Sequence, residues 1–322
     1  MQEIISPVDK ALLIAELTPE RFLRYTRKAN NEIYIFNAHQ CPNLMREVGR
    51  LREIAFRHAG GGTGFDIDID DFDTMDEPYW QLIVWNPEDE EILGGYRYIL
   101  GKNVHFDETK QPVLATGHLF GFSEEFINDY LPHTMELGRS FVTLEYQSSR
   151  AGARGLFALD NLWDGLGALT VDNPEIKYFY GKFTMYPTFC PHCRNMILYF
   201  LKKHFPDQNN LVFPFKPLEA NIDEKLMSEI FTTNTFKEDY KILNHEIRKD
   251  GLNIPPLVNA YMSLSPTMKM FGTAINDEFG DVEESGILIT VDEIDSEKHD
   301  RYISTYIKYL EGKEKEILEE CL

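Results

Sequence analysis

Two apolar runs set back to back across an acidic turn limit what this chain can fold into more than any other stretch. Trp80 to Trp85 and Ile92 to Leu100 read as strands, and Pro87 to Glu91 reads as the turn that joins them into a hairpin. A helical pattern is expected from Phe120 to Leu131, where Pro132 resets the chain into a strand from Thr134 to Leu144. This β-β-α-β order places the chain among α/β folds.

The remaining pattern adds elements around that core. Pro7 to Tyr25 reads as two short helices, with Thr18 a capping residue and Pro19 at the first helical position. Ile33 to Asn37 alternates as a strand. Asn43 to His58 is an amphipathic helix with Leu44, Val48, Leu51, Ile54 and Ala55 turned inward, and the glycine run Gly60 to Gly64 ends it. Further on, Tyr178 to Tyr186 reads as a strand, Pro191 or Arg194 opens a helix through His204, and Phe213 starts an extended piece. Asp223 to Lys249 is helical and charged, Pro255 to Leu264 helical, and Thr267 to Asn276 and Ser285 to Val291 supply the last strands. At 322 residues and 43% hydrophobic the chain can bury a large core. One domain over residues 1–322 is expected, with a helical addition at about 219–256.

A net charge of −21 argues against nucleic acid as a partner, because phosphate binding needs a large basic surface. Docking on any acidic partner would need a local basic patch, for which Arg150, Arg154, Lys177, Lys182, Arg194, Lys202 and Lys203 are the candidates. The segment Met1 to Lys28 lacks a basic start followed by a long apolar run, and no stretch is long enough to span a membrane. The expected location is the cytoplasm.

Several charged residues fall beside strands, where an unpaired charge is expensive, and so point to a polar site inside the fold. They are Arg52 with Phe56 one turn on, Asp68-x-Asp70-x-x-Asp73, Arg97, and Glu136-x-x-Arg139. In order and spacing these residues resemble the signature of acyl-homoserine-lactone synthases, with Asp68 standing where that family usually has Glu. The flanking text from Asn31 to Phe65 and from Pro255 to Ile289 is similar to a sister group, the hemolysin-like and ornithine-lipid N-acyltransferases. Both groups have the GNAT-type acyltransferase fold, so the resemblance implies an α/β fold with a central mixed, mostly antiparallel sheet flanked by helices, plus additional helices, in which one central strand splays from its neighbour and leaves a cleft for an acyl thioester.

The resemblance implies acyl transfer from a phosphopantetheine thioester, on acyl carrier protein or coenzyme A, to the amino group of an amino acid such as ornithine or glycine. The product would be a lyso-aminolipid, with no permanently bound cofactor or metal, and a peripheral contact with the inner membrane would suit it. In the GNAT pattern the phosphate arm lies on a loop before a helix. The matching stretch is Arg150-Ala-Gly152-Ala-Arg154-Gly155, where Ala153 replaces a glycine. The resemblance also implies that Asp70, Asp73 and Arg97 shape the acceptor end, Arg97 ordering the acidic loop by bidentate pairing, while Arg52 and Phe56 sit on the helix that covers the acyl chain.

Acyl transfer to an amine needs a proton acceptor, close approach to the carbonyl, and donors for the oxyanion. Glu136 is the leading base and Arg139 its companion. Residues three apart on a regular strand face opposite sides, so the two share a cleft only if the strand bends, and Gly138 is the expected bulge. The alternative is a structural ion pair bracing the strands.

Other motifs compete. Cys190-Pro-His-Cys193 matches the tetrapeptide of oxidising thioredoxin-fold enzymes and lies after a strand near a helix start, so a thiol-disulfide protein remains a rival reading. The same pair is half of a zinc site, with His192 or His204 to complete it. The glycine run lacks the Lys-Ser/Thr of a phosphate loop, and Asp66 to Asp73 misses the calcium-loop spacing. Acetylation of a small amine from acetyl-CoA is the remaining enzymatic alternative.

Overall fold

A computed structural model of the chain describes residues 1–147 and 152–320, with side chains described except at 152–156 and 314–320. The strands are β1 (Phe22–Tyr25), β2 (Glu32–Phe36), β3 (Trp80–Asn86), β4 (Glu91–Leu100), β5 (Phe120–Phe122), β6 (Thr134–Val142), β7 (Tyr178–Met185), β8 (Val212–Pro214), β9 (Lys269–Asn276) and β10 (Val282–Thr290). The main sheet has the order β1-β2-β3-β4-β6-β7-β10-β9, and β5 pairs with β8 in a small second sheet. Every neighbouring pair in the main sheet is antiparallel except β6 with β7, which run parallel.

The helices that place the site are α1 (Lys10–Glu16), α2 (Pro42–Ala59), α3 (Asp71–Thr74), α4 (Gly152–Asp172), α5 (Pro191–His204), α6 (Glu224–Ile230), α7 (Phe236–Lys249) and α8 (Pro256–Met262). Helices cover both faces of β3, which is why its residues from Gln81 onward are buried without alternation. Ile83 and Trp85 pack with Leu44, Val48 and Leu51 of α2, while Leu82 and Val84 pack with Leu162 and Leu166 of α4. Each fully buried leucine contributes about 1.5–3 kcal/mol. Gly60, in the left-handed region at φ +100°, caps the C-terminus of α2.

The parallel pair carries the architecture of the cleft. β6 and β7 are in register from Thr134 opposite Tyr178 to Leu137 opposite Gly181, and then part. At their closest point a Cβ on Gly181 would sit 2.6 Å from the Leu137 carbonyl oxygen, so only glycine fits. Beyond it the pairing of β4 with β6 slips. Gly95 faces Phe141 and Arg97 faces Gly138, which leaves Arg139 and Ser140 opposite the single residue Tyr96. Arg139 takes φ +47° in that bulge.

Three local expectations change. Phe120 to Leu131 is not one helix: it begins as β5, with Phe120 and Phe122 buried, and turns through a π-helical segment at Phe126–Tyr130. An apolar run rich in phenylalanine suits either state, and pairing with Val212–Pro214 decides it. The second helix expected before Tyr25 is a single 3₁₀ turn, Pro19–Arg21, followed by β1, because Phe22, Arg24 and Tyr25 pair with β2 and the bulged Leu23 between them is buried in the core. The charged stretch 223–249 divides into α6 and α7, and Thr235 starts α7 by accepting from the Glu238 amide. Among the described residues no helix is long and apolar enough to cross a membrane.

Candidate active site

The acidic segment folds back over the sheet and meets three arginines. Arg52, from the middle of α2, donates from Nη1 to both oxygens of Asp73 at 3.3 and 3.2 Å and from Nη2 to Gln81. Arg97, from β4, places one Nη1 2.6 Å from Asp70 and 3.2 Å from Asp73. Arg139 reaches Asp68 at 3.0 Å and Asp70 at 3.3 Å. The six side chains alternate in charge along one connected path, and Arg52, Asp68 and Asp73 have no solvent exposure. Such a network holds only if every member keeps its partner.

The network also sets the local fold. Asp70 caps the short α3, its side chain accepting from the Asp73 amide while Asp73 accepts in return from the Asp70 amide. Burial works to raise the Asp70 carboxyl, yet Arg97, with Arg139 and Arg52 beyond it, holds it well below the ordinary carboxylate range. Burial wins at Asp68 and raises it, against the pull of Arg139 and Arg52.

Glu136 lies nearby on β6, buried and fully engaged. It accepts from the Tyr79 hydroxyl, the Thr116 hydroxyl at 2.7 Å, and the amides of Thr116 at 3.2 Å and Ala115 at 3.3 Å. Tyr79 in turn accepts from the Ala115 amide at 2.9 Å. Burial and the adjacent Glu136 push the Tyr79 phenol well above its usual value, so it stays protonated and donates.

Two cavities open on this wall. One of about 570 Å³ carries most of the charged groups, with Asp70, Arg97, Glu136 and Arg139 set among Phe72, Tyr79 and Leu137. An apolar one of about 460 Å³ lies where β6 and β7 part, against Phe56, Tyr96, Tyr186, Phe189, Leu257 and Tyr261. They share Leu137, Gly138, Arg139, Lys182 and Phe279, so the bulge is their common edge. Both volumes are in the range of pockets that hold a small molecule.

Residues 51–155 match the family described as Acetyltransferase (GNAT) domain. A protein of Bacteroides thetaiotaomicron named glycine N(alpha)-acyltransferase is 67% identical over 308 residues, which is 96% of this chain and 91% of that protein. One of the same name from Phocaeicola vulgatus is 64% identical over 308 residues, 96% of this chain and 94% of its own. The chain belongs to this family of N-acyltransferases. The CoA-dependent acyl-homoserine lactone synthase BjaI with MTA overlays 84% of the acyltransferase and 86% of itself, at 11% identity and a TM-score of 0.37. Its structure with SAM and isopentyl-CoA overlays 52% and 72%, at 16% identity and a TM-score of 0.30.

In the acyltransferase Glu136 and Arg139 do line one cavity, as the bent strand requires, but the residue that bends is Arg139 and not Gly138. Arg97 orders the acidic loop by bridging two aspartates from one nitrogen, not by bidentate pairing with one. Phe56 stands in the wall of the apolar cavity, edge-on to Phe279 at 5.2 Å. Arg52, on the same helix α2, turns its guanidinium to Asp73. Gly152, Arg154 and Gly155 fall in the first turn of α4, and Arg150 lies outside the described residues.

The expected basic patch loses much of its charge to carboxylates. Lys182 pairs with Glu284, Arg194 with Glu283, Lys202 with Glu224 and Lys203 with Asp239. The glycine run is likewise filled from within: Glu53 accepts from the Thr63 amide at 3.1 Å and the Gly64 amide at 2.8 Å, where a phosphate loop would offer them.

Lys182, read in the sequence as one cation among several, is the residue whose place was least foreseen. It stands on β7 at the shared edge of both cavities beside Glu284, and burial lowers its pKa against that partner's pull. Tyr79, Thr116 and Phe279 also escaped notice. A tyrosine just ahead of a strand pattern or a lone threonine in a loop carries no signature.

Proposed function

We propose that this acyltransferase moves a long acyl or 3-hydroxyacyl chain from a phosphopantetheine thioester to the amino group of glycine or a similarly small amino acid. The reading rests above all on one observation, an apolar cavity in the gap between parallel strands that meets a second cavity, lined by Asp70, Arg97 and Glu136, at Gly138 and Arg139. The names of the two bacterial relatives favour glycine as acceptor. The residues 1–322 are proposed to act as one unit, since a single sheet takes strands from Phe22 to Thr290.

In this reading the acyl chain lies along Phe56, Tyr186, Phe189 and Leu257, and the amino acid enters from the polar side. The amine nitrogen attacks the thioester carbonyl carbon, and the C–S bond then breaks to leave an amide and a thiol. Glu136 takes the amine proton through the Tyr79 phenol, which passes its own proton on as it receives one. The bulge frees backbone donors from the ladder at the cavity edge, where they suit the oxyanion. Carrier protein is the proposed donor form, with the phosphate arm at the start of α4. An acetyl group would leave the apolar cavity unfilled, which disfavours acetyl-CoA.

The test is mass spectrometry of purified enzyme with long-chain 3-hydroxyacyl carrier protein, long-chain acyl-CoA, acetyl-CoA and a mixture of amino acids, beside Glu136→Gln. N-acylglycine made from a long-chain donor, and reduced about 100-fold or more in the variant, is the expected outcome. N-acetyl product alone would overturn the acyl assignment. Full activity in Glu136→Gln would overturn the proton route.

A further inference from the structure

Cys190 and Cys193 take no part in the acyl-transfer site, yet they are arranged for chemistry of their own. Cys190 caps the N-terminus of α5 and is partly exposed, while Cys193, one turn on, is buried. The Asp250 carboxylate comes in from the C-terminal end of α7 and accepts from the Cys193 thiol at 3.2 Å. The donor atoms of all three lie within 4.8 Å of one another. Residues one helical turn apart hold their Cα atoms within the roughly 4.4–6.8 Å that a disulfide spans.

We infer that Cys190 and Cys193 are a reversible dithiol-disulfide pair that reacts with disulfides of low molecular weight, with Cys190 as the attacking sulfur and Asp250 as the proton acceptor for Cys193. The division of labour follows from placement. Cys190 is the sulfur a solvent-borne reagent can reach, and the Cys193 and His192 amides of the helix start favour its thiolate over the opposing effect of burial. Burial, then Asp250, pushes the Cys193 thiol up to about 12, so it waits as a thiol until a base relieves it.

The steps balance. The Cys190 thiolate attacks one sulfur of R–S–S–R, that bond breaks, and one RS⁻ leaves. Cys193 then gives its proton to Asp250 and attacks the Cys190 sulfur, expelling the second RS⁻. Two cysteines are oxidised by two electrons, one external disulfide is reduced to two thiols, and the two thiol protons end on them.

The reduced full-length protein is equilibrated in glutathione buffers of graded GSSG to GSH ratio, acid-quenched, and read by intact mass and peptide mapping. The expected result is a loss of 2 Da mapped to Cys190–Cys193 and reversed by excess GSH. In a time course quenched with acid before equilibrium, Asp250→Asn should slow closure about tenfold or more and transiently accumulate the glutathione adduct on Cys190, and Cys193→Ser should stop at that adduct. The inference fails if wild type stops at the adduct, or if no modification appears at the most oxidising ratio. It also fails if the purified chain carries one zinc ion per molecule that protects both thiols, since the cluster would then be a metal site. None of these readouts uses acyl transfer, so this inference and the proposed enzymatic function fail separately.

Discussion

On one side of the edge formed by Gly138 and Arg139 the walls are Phe56, Tyr186, Phe189 and Leu257; on the other they are Asp70, Tyr79, Arg97 and Glu136. The first cavity is held by packing, which spreads its cost over many weak contacts and tolerates exchange of one apolar shape for another. The second is held by charges that each have named partners, and it tolerates almost no single removal. A site built this way can change the chain length it accepts without losing its chemistry. The reverse change would need several substitutions at once.

The sharpest challenge to that contrast is Arg52→Met. It leaves the buried Asp73 with one arginine, Arg97, beside its bonds from Gln81 and the Asp70 amide, and unfolding in urea should show a loss of about 3–5 kcal/mol. A loss below about 1 kcal/mol would mean that the network is not what holds the polar wall.

On the apolar side, Leu257→Trp should leave stability nearly intact. It should lower kcat/KM for the longest acyl donors about 10–100-fold while sparing short ones. An equal fall for all donors would place the acyl chain elsewhere.

Gly138→Ala tests the shared edge. Its φ is ordinary, and a Cβ there would meet only the Arg97 side chain, at 3.6 and 3.7 Å, so the fold should accept it. Activity should fall about tenfold because the methyl group intrudes where acyl carbonyl and amine must meet.

The smallest effect is a pH dependence. Asp70 has a folded-state pKa held below its unfolded value, so its pairing contributes stability above about pH 4 that is lost as pH falls through the folded value. Denaturation followed from about pH 6 to about pH 2 should show a shallower decline in Asp70→Asn than in the parent.

How much of this could be read from residues alone depends on range. The hairpin of β3 and β4 was legible because apolar runs flank an acidic turn, and α2 because its apolar positions repeat at helical spacing up to a glycine. The arginines and aspartates were legible as a set because charges beside strands demand partners. Which arginine meets which aspartate was not, since Arg139 and Asp68 lie 71 residues apart and are joined only by the fold. Lys182 was hidden for the same reason: its partner Glu284 arrives on β10, and no local pattern marks either as buried. β5 was missed because its pairing partner, β8, is also remote.

The parting of β6 and β7 has a mechanical side. Backbone pairing joins these strands only from Thr134 to Leu137, so the sheet resembles two covers fastened at one end of a spine. Whatever lies in the gap becomes a clasp as well as a passenger. Occupancy by an acyl chain should therefore quiet the edges of both strands that face the gap, and amide exchange from Ser140 to Val142 and from Phe183 to Met185 should slow when donor is bound.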